Sequence, residues 1–315
     1  MADDIAEIRL AFANAIVELG TRDPRVVVLD ADLGNSTRTD LFADLLPARF
    51  FQMGIAEQNM IGVAAGLAAA GFRPIAVTFA AFATTRDLDQ VRVMVAQTGL
   101  PVIIVGSYAG ILTGRTGKTH QCIEDLAVYR VLPGMVVLAP GDGAEVRSAM
   151  VEAVALGRPT YVRLPRDASP PIFPSGHRLH VGGSSLLLDG TDVGFISTGV
   201  QTYRTLEAAK LLANEGVRAA VLHLPSLKPI DEEAVVRLAE RTMRIVTTED
   251  HSVIGGLGGA VSELLAEQHP TLMRRVGIAD EYSESAPNDA LLLRHGLDPL
   301  SIVTVAREIL GQKPS

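Results

Sequence analysis

The chain contains 315 residues, of which 48% are hydrophobic and 20% are charged. This length allows two domains with a sizeable core, and the composition argues against disorder. The formal net charge of −8 argues against nucleic acid or an anionic membrane as a partner, because binding to either requires clustered Lys and Arg.

The cysteine count and the N-terminal residues narrow the class of protein further. Cys122 is the only cysteine, which excludes a disulfide framework and a multi-cysteine metal site. The first residues lack the basic and apolar regions of a signal peptide, and no apolar run approaches the roughly 18 residues needed to cross a bilayer. We therefore expect a soluble, cytoplasmic protein.

Strand and helix patterns alternate through the first half of the chain. After an amphipathic helix that ends near Gly20, a buried strand begins at Arg25 and ends in Asp30 and Asp32. Further helices are predicted at about 56–70, 83–97, 123–132 and 144–156, and further strands at about 74–79, 102–105, 136–138 and 160–164. This alternation is typical of a parallel sheet covered on both faces, whose ligands lie at the carboxyl ends of the strands.

A stretch rich in Pro and Gly interrupts the pattern between residues 165 and 183 and predicts a linker. A second block follows, with strands predicted near 192–197, 217–222, 244–248 and 275–277, and helices near 202–214, 232–240, 259–267, 289–293 and 299–310. The predicted fold class is therefore α/β with two consecutive domains. We place a parallel-sheet domain at residues 1–166, the linker at 167–183, and a smaller, mostly parallel domain at 184–315.

Glu57 is the only charged residue between Met53 and Gly71, and the small or apolar residues around it predict a helix that is buried on nearly all sides. In the first turn of a helix, a carboxylate is stabilised by the macrodipole, so a structural role alone would explain it. A lone carboxylate in an apolar helix is otherwise costly unless it is paired or functional. In that case, burial would let it share a proton with a nitrogen base.

Other polar residues follow the predicted strands. Asp30 and Asp32 stand where a ligand site is expected, although the bare pattern favours a solvated strand end over a ligand site. A glycine-rich loop leads from Tyr108 to His120, which suits either acid–base chemistry or a helix cap. Arg163 and Arg166 could hold a phosphate or simply be surface residues.

Several segments together resemble the C-terminal half of transketolases, from about Arg9 to Leu310. They are LDADLGNST at 29–37, RFFQMGIAEQNMIGVAAGLA at 49–68, VTFAAF at 77–82, KTHQCIEDLAVYRVLPGM at 118–135, YVRLPRD at 161–167 and EDHSVIGGLGG at 249–259. In this family a pyrimidine-binding domain precedes a transketolase C-terminal domain. The resemblance therefore implies that thiamine diphosphate is the cofactor.

The resemblance also implies roles for residues around the cofactor. Glu57 would hydrogen-bond a ring nitrogen of the aminopyrimidine and promote the tautomer that deprotonates the thiazolium carbon. Phe79 and Phe82 would pack on the pyrimidine, and Asp32 and Leu33 would lie near the thiazolium. These residues form the implied cofactor-binding set.

The substrate would lie beyond the cofactor in this arrangement. The resemblance implies that His120 contacts substrate oxygens and moves protons as a second catalytic residue. The residues Arg9, Ser36 and Arg166 match positions that bind the substrate phosphate.

This sequence departs from the usual transketolase pattern at four positions near the substrate. An aromatic is replaced by Thr85, a His by Tyr108, and an acidic pair by Arg115 and Thr116. We include Tyr108, Arg115 and Thr116 in the predicted substrate-binding set. Because Lys118 adds further positive charge, we expect an unusual sugar phosphate, a sulfonated sugar or another anionic ketose rather than the common pentose phosphates.

The chain lacks the sequence signature of the domain that binds the diphosphate and its Mg²⁺ ion. Gly141-Asp-Gly resembles the start of that motif, but no Asn occurs between Asn59 and Asn214 to complete it. The resemblance therefore implies a separate N-terminal-half transketolase subunit that supplies the Mg²⁺ ligands, in an α2β2 heterotetramer. No metal site is expected on this chain.

The implied activity is transfer of a two-carbon ketol unit from a ketose to an aldose through a thiamine adduct. Two enzyme alternatives share the glutamate and the domain order: the beta subunit of a 2-oxoacid dehydrogenase and a deoxyxylulose-phosphate-synthase-like enzyme. A non-catalytic scaffolding or regulatory subunit is the alternative from another class.

Overall fold

The computed structural model describes residues 8–311, so the outer ends predicted for the two domains, at residues 1 and 315, lie outside the described part. Within the described residues, two sheets organise the chain, one of seven strands and one of five. Helices cover both faces of each sheet. The predicted α/β class is confirmed.

The first sheet and its helices occupy the first half of the chain. Its strands there are β1 (Val26–Asp30), β2 (Phe50–Gln52), β3 (Arg73–Phe79), β4 (Ile103–Ser107), β5 (Val136–Leu138) and β6 (Thr160–Arg163). The helices are α1 (Ile8–Arg22), α2 (Gly34–Thr37), α3 (Asp40–Leu45), α4 (Glu57–Ala69), α5 (Ala80–Thr85), α6 (Leu88–Gln90), α7 (Asp125–Val131) and α8 (Gly143–Leu156). Short 3-10 turns lie at Pro47–Arg49 and Gly114–Thr116, and α6 continues as a π-helix at Val91–Ala96.

The second sheet and its helices follow the linker. Its strands are β7 (Ser185–Leu188), β8 (Val193–Ser197), β9 (Ala219–His223), β11 (Arg244–Ser252) and β12 (Leu272–Ile278), while β10 (Ser226–Lys228) leaves it for the first sheet. The helices are α9 (Gln201–Ala213), α10 (Glu232–Thr242), α11 (Leu257–Gln268), α12 (Asn288–Arg294) and α13 (Pro299–Leu310).

Strand order places the end of β3 in the middle of the first sheet. The order is β10-β5-β6-β4-β3-β1-β2, and every pair is parallel except β10 with β5. The second sheet has the order β12-β11-β8-β9-β7, with only β7 antiparallel to its neighbour. The carboxyl ends of β1, β3 and β4 therefore share one edge of the sheet, where a ligand site is expected.

The core lies on both sides of each sheet because successive strand residues point to opposite faces. Val26 and Val28 belong to one buried cluster, whereas Val27 and Leu29 belong to the other. Both clusters also contain residues of the second domain. The two domains thus share continuous apolar packing.

A buried polar network crosses the boundary between the domains. Arg163 donates from Nε to Asp125 Oδ2 at 2.9 Å and from Nη2 to the carbonyl oxygen of Asp250 at 2.6 Å. Asp250 accepts in turn from the backbone N–H of Ile111 at 3.1 Å. Arg163 is only 5% exposed. The suggestion that it helps to hold a phosphate is therefore wrong, because its donors bind protein groups in the interior.

One helix differs from the sequence prediction, whereas the segment expected to be a linker is irregular. The predicted helix at 83–97 is broken into α5, α6 and the π-helical turn. The region expected to be a linker contains no helix or strand between Arg163 and Ser185. Within residues 8–311, no helix is both long and apolar enough to span a membrane.

Candidate active site

Glu57 begins α4 just beyond the carboxyl edge of the first sheet. Its side chain is 4% exposed, and Oε1 accepts a hydrogen bond from Arg86 Nη1 at 2.8 Å. The helix N-terminus favours a carboxylate there. Glu57 is therefore a buried anion that faces a planar donor, an arrangement that can also serve a ligand with N–H groups.

The apolar helix predicted around Glu57 is not buried on nearly all sides. One face packs on the sheet through residues such as Met60, Ile61 and Ala64. The opposite face is exposed and carries small or amide side chains, namely those of Gln58, Asn59, Gly66 and Ala69. The lack of charge on this helix therefore does not reflect complete burial in the chain itself.

Four rings form a cluster beside Glu57. Phe79 ends β3 and stacks on Tyr108 with 4.0 Å between ring centroids, and Phe82 in α5 lies 5.7 Å from Phe79. The His120 ring meets Phe82 and Phe79 edge-on, at 5.5 and 5.9 Å. The structure thus brings together residues that the sequence places as far as 41 positions apart. Such a surface can bind a flat ring.

Tyr108 and His120 are each held by neighbouring groups. Tyr108 has φ of 60°, a strained conformation for a bulky residue. Its ring packs against the guanidinium of Arg166, whose Cζ lies 5.6 Å from the ring centroid. The Nδ1 atom of His120 lies 2.9 Å from the hydroxyl of Thr119, which leaves Nε2 available for proton transfer.

The loop after β1 is shaped by Asp30 rather than by solvent. Asp30 is fully buried and accepts from the backbone N–H of Leu33 at 2.7 Å and from the Thr39 hydroxyl at 2.7 Å. Asp32 has φ of 64°, and its N–H donates to Gln52 Oε1 at 2.9 Å. The interpretation of Asp30 as a solvated strand end is wrong, since its carboxylate orders the loop that presents Asp32 and Leu33.

The predicted phosphate-binding residues lie in two places. Arg9 Nη1 donates to the carbonyl oxygen of Ser36 at 3.1 Å, which joins α1 to the loop after β1. Arg166 forms an ion pair of 2.9 Å with Asp167 and also bonds Tyr108, and the hydrogen bond with Tyr108 is the main reason that its pKa is raised. Arg166 therefore adjoins the ring cluster, whereas Arg9 and Ser36 adjoin Leu33 and Asp32.

Arg115 and Thr116 lie in the short 3-10 turn of the glycine-rich loop, and both are exposed. The backbone of this turn is fixed by the second domain, because Ser285 Oγ donates to the carbonyl oxygen of Arg115 at 2.7 Å. In the described part of the chain, no hydrogen bond or ion pair joins the Arg115 side chain to the ring cluster. The Arg115 side chain is exposed to solvent at the rim of the candidate site, in the loop that joins Tyr108 to His120.

Comparison with known proteins bears directly on this arrangement. The family model for the transketolase pyrimidine binding domain matches residues 5–171, and that for the transketolase C-terminal domain matches residues 182–302. This chain belongs to the transketolase family. The family predicted from the sequence motifs is confirmed.

Relatives with transketolase names resemble the chain over almost its whole length. The 6-deoxy-6-sulfo-D-fructose transketolase subunit SqwH of Clostridium sp. (strain MSTE9) is 42% identical over 97% of this chain and 95% of its own. An apulose-4-phosphate transketolase subunit of Phocaeicola vulgatus is 36% identical over 98% and 99%, respectively. A solved structure described as a split gene transketolase, inactive beta4 tetramer, superposes with a TM-score of 0.91 at 44% identity, covering 97% of this chain and 98% of that one.

Two residues of this transketolase-family site were missed by sequence reasoning. Arg86 places its guanidinium 3.9 Å above the Phe82 ring centroid while it bonds Glu57. The spacing of Phe82 and Arg86, i and i+4, was the available signal, because such residues meet on a helix face.

Asp87 is the second missed residue. It is fully buried, and neither of its carboxylate oxygens has a hydrogen-bond partner among the described residues. Burial raises the pKa of this carboxyl well above its ordinary value, and the charge of Glu57 adds to the effect. An acidic residue between Arg86 and Asp89 in a predicted helix gave no indication of this burial.

Proposed function

We propose that this chain is the subunit of a split transketolase that activates thiamine diphosphate through Glu57. The assembled enzyme would transfer a two-carbon ketol unit from an anionic ketose to an aldose. The observation that carries the proposal is the placement of a buried carboxylate beside a stack of aromatic rings at the carboxyl edge of the sheet. The transketolase subunits to which the chain is similar support it.

The residues present fit the aminopyrimidine end of the cofactor. Glu57 already accepts from a flat, nitrogen-bearing group that lies on Phe82, so a flat heterocycle whose ring nitrogen shares a proton with the carboxyl group suits the same two contacts. We propose that Phe79 and Phe82 hold the ring, and that Asp32 and Leu33 lie near its thiazolium partner. When bound, thiamine diphosphate supplies the nucleophilic carbon that carries the transferred unit.

Glu57 and His120 would perform the proton transfers. The carboxyl group of Glu57, shielded from water, can hold a proton against the ring nitrogen and so promote the reactive tautomer. The imidazole of His120, held at Nδ1 by Thr119, can exchange a proton with substrate oxygens at Nε2. In the assembled site, the aromatic rings would help to exclude water and so strengthen both interactions.

We propose that a partner subunit supplies the diphosphate site and Mg²⁺, in an α2β2 heterotetramer. Among residues 8–311, no group of three or more His, Cys, Asp or Glu side chains is placed to hold a metal ion. The exposed, uncharged face of α4 next to Glu57 is suited to close helix packing, which supports docking of a partner there. The word "subunit" in the names of the two relatives also supports a partner.

We propose the domain limits 1–166 and 184–315, joined by a linker at 167–183. The two family matches, at 5–171 and 182–302, support a boundary in this region. The buried network around Arg163 gives a reason for the first unit to extend at least to the end of β6.

The proposed substrate is an anionic ketose. The predicted contacts are those of Arg9, Ser36, Tyr108, Arg115, Thr116 and Arg166. Arg166 beside Tyr108 and the exposed Arg115 add positive charge near the ring cluster. The relatives' names refer to a sulfonated and a phosphorylated sugar, which supports this class without identifying the sugar.

A glutamine variant tests the central role of Glu57. In the complex with the diphosphate-binding partner, Glu57→Gln should reduce ketol transfer by at least about a thousandfold, because it removes an ionisable group that acts on the reacting atoms. The exposed Glu263→Gln is a matched control. Substantial activity in Glu57→Gln would refute the proposed activation and favour a scaffolding subunit.

Calorimetry tests the shared site. Thiamine diphosphate with Mg²⁺ should bind tightly to the mixture of the two subunits and weakly to this chain alone. Tight binding to the chain alone would contradict the assignment of the diphosphate site to the partner.

A further inference from the structure

Arg86 makes two contacts that together define its position. Its guanidinium lies flat enough to place Cζ 3.9 Å above the Phe82 ring centroid, and Nη1 donates to Glu57 Oε1 at 2.8 Å. A guanidinium is planar and cationic, and it stacks on aromatic faces while donating to carboxylates. Arg86 therefore binds an aromatic face and a buried carboxylate at once.

These are the two contacts that the proposed function assigns to the aminopyrimidine of the cofactor. Both groups are flat, both would lie on the Phe82 ring, and both would meet the Glu57 carboxyl group through a nitrogen atom that shares a proton with it. The Glu57 side chain is 4% exposed, and Arg86 Nη1 occupies its Oε1 atom. Arg86 and the pyrimidine cannot use both contacts at the same time.

Resting on the proposed function, we propose that Arg86 occupies the pyrimidine subsite of the cofactor-free chain and that thiamine diphosphate must displace it from Glu57 and Phe82. Arg86 then acts as a positioning and gating residue rather than as a catalytic one. In the cofactor-free chain it neutralises a carboxylate that would otherwise be buried without a partner.

The structure provides a place for the displaced side chain. A cavity of about 530 Å³ adjoins Phe82 and Arg86 and is also lined by Thr85 and Glu124. The Arg86 side chain is 45% exposed and sits on the solvent side of the contact. A rotation of this side chain would move the guanidinium into the cavity, which is lined by the Glu124 carboxylate, one oxygen of which accepts from the N–H of Ile123, and also by Lys118.

Competition of this kind lowers the apparent affinity for the cofactor. The measured dissociation constant rises in inverse proportion to the fraction of molecules in which Arg86 has left Glu57. An ion pair with a buried carboxylate, reinforced by a cation–π contact, keeps that fraction small, and a fraction of roughly one tenth would weaken the apparent binding roughly tenfold. Because the cofactor must displace Arg86, we expect it to bind well when the partner's contacts with the diphosphate contribute to the binding free energy.

The test measures thiamine diphosphate binding with Mg²⁺ by calorimetry, using the complex of both subunits. Arg86→Ala should tighten the apparent dissociation constant roughly tenfold. Arg86→Lys, which keeps the charge but loses the flat stacking surface, should give an intermediate value. Arg237→Ala, an exposed arginine in α10, is the matched control and should bind as the wild type does. Unchanged or weaker binding by Arg86→Ala would overturn the proposal.

A second measurement uses the isolated chain and does not depend on cofactor binding. Arg86→Ala should lower its melting temperature by about 2 °C or more, and this loss should shrink in the Glu57→Gln background, where no charge is left unpaired. If Arg86→Ala lowered the melting temperature equally in the wild-type and Glu57→Gln backgrounds, the proposed contact between the two side chains would be refuted. A further outcome is that the wild-type complex and all variants fail to bind the cofactor while the effect of Arg86→Ala on the melting temperature still depends on Glu57. That result would refute the proposed function and support the Arg86–Glu57 contact.

Discussion

Arg163 and Asp125 form an ion pair inside the protein, with 2.9 Å between Arg163 Nε and Asp125 Oδ2. The side chains are 5% and 0% exposed, and the hydroxyl of Tyr161 also donates to the same carboxylate oxygen at 2.8 Å. Through the carbonyl oxygen of Asp250, the pair links the first sheet to the second domain. The stability of the whole chain therefore depends on this pair.

Removal of the Arg163 side chain should be severe. Arg163→Leu leaves Asp125 charged and buried, which we expect to lower the free energy of unfolding by about 3–5 kcal/mol. Urea unfolding measures this change, and Arg158→Leu, an exposed arginine, is the control. The double variant R163L/D125L should recover part of the loss. A loss below about 1 kcal/mol for Arg163→Leu would contradict the role of the pair.

Replacement of Asp87 should stabilise the protein. The folded-state pKa of this carboxyl is raised, mainly by burial, so folding costs increasing free energy as the pH rises above the ordinary Asp pKa. Asp87→Asn removes the ionisation and should raise the free energy of unfolding by about 1–2 kcal/mol at pH 8, and by less at pH 5. Asp89→Asn, an exposed neighbour, should have little effect. An Asp87→Asn variant that is less stable than the wild type at pH 8 would show that the carboxylate has a stabilising partner.

His251 should produce a loss of stability in acid. Burial lowers its pKa to about 4, from an ordinary value of 6.5, so the unfolded chain takes up the proton first as the pH falls. The contribution of His251 to stability is therefore full above pH 6.5 and is lost between pH 6.5 and 4, by about 3 kcal/mol.

His251→Gln removes that titration, so the stability difference between wild type and variant should narrow or reverse as the pH is lowered through this range. Comparison of the two proteins matters because burial raises the pKa of Glu249 to about 7, which acts in the opposite direction. His180→Gln, at a residue whose side chain is 70% exposed, is the control. If the free energies of unfolding of wild type and His251→Gln changed in parallel with pH, the titration of His251 would not be the cause of the loss of stability in acid.

Arg166 should contribute to selection of an anionic substrate. Its guanidinium adjoins Tyr108 and is paired with Asp167, so Arg166→Gln keeps a polar group there but removes its charge. In the two-subunit enzyme we expect KM for an anionic ketose to rise about tenfold, with little change for a neutral ketose. Equal effects on both substrates would assign Arg166 a structural role.

The exposed Arg115 offers an independent test of substrate charge. Arg115→Glu reverses the charge at the rim and should shift preference from anionic toward neutral ketoses, as measured by the ratio of their kcat/KM values. Arg158→Glu, at an exposed position outside the site, is the control. An unchanged ratio for Arg115→Glu would refute the assignment of the rim to substrate selection.

The sequence predicts the structure best where hydrophobic periodicity and strand order determine the place of a residue in the fold. Apolar runs identified β1, β3 and β4, and because parallel strands end at one edge, the loop from Tyr108 to His120 was expected near a ligand site. It was least reliable where a residue's environment comes from distant segments. Asp30 seemed a solvated strand end, but Thr39 and Leu33 fold back on it.

Arg86 shows the same limit within the site. Its contact with Glu57 joins residues 29 positions apart and depends on the angle at which α5 leaves β3, which no local pattern reports. The broken course of the predicted helix at 83–97 arises nearby, where the chain passes from α6 into the π-helix. The family resemblance supplied the cofactor and substrate roles, whereas the geometry supplied Arg86 and Asp87.

The three residues of β10 have a consequence for how the protein can be divided. This strand belongs by sequence to the second domain, yet Ser226 pairs with Leu138 at the outer edge of the first sheet, and Lys228 Nζ caps the carbonyl oxygens of Arg130 and Leu132. A protease that cut only the connecting segment would therefore leave two fragments that remain associated through this strand pairing and these hydrogen bonds. The first fragment produced by itself would present a bare strand edge and tend to aggregate.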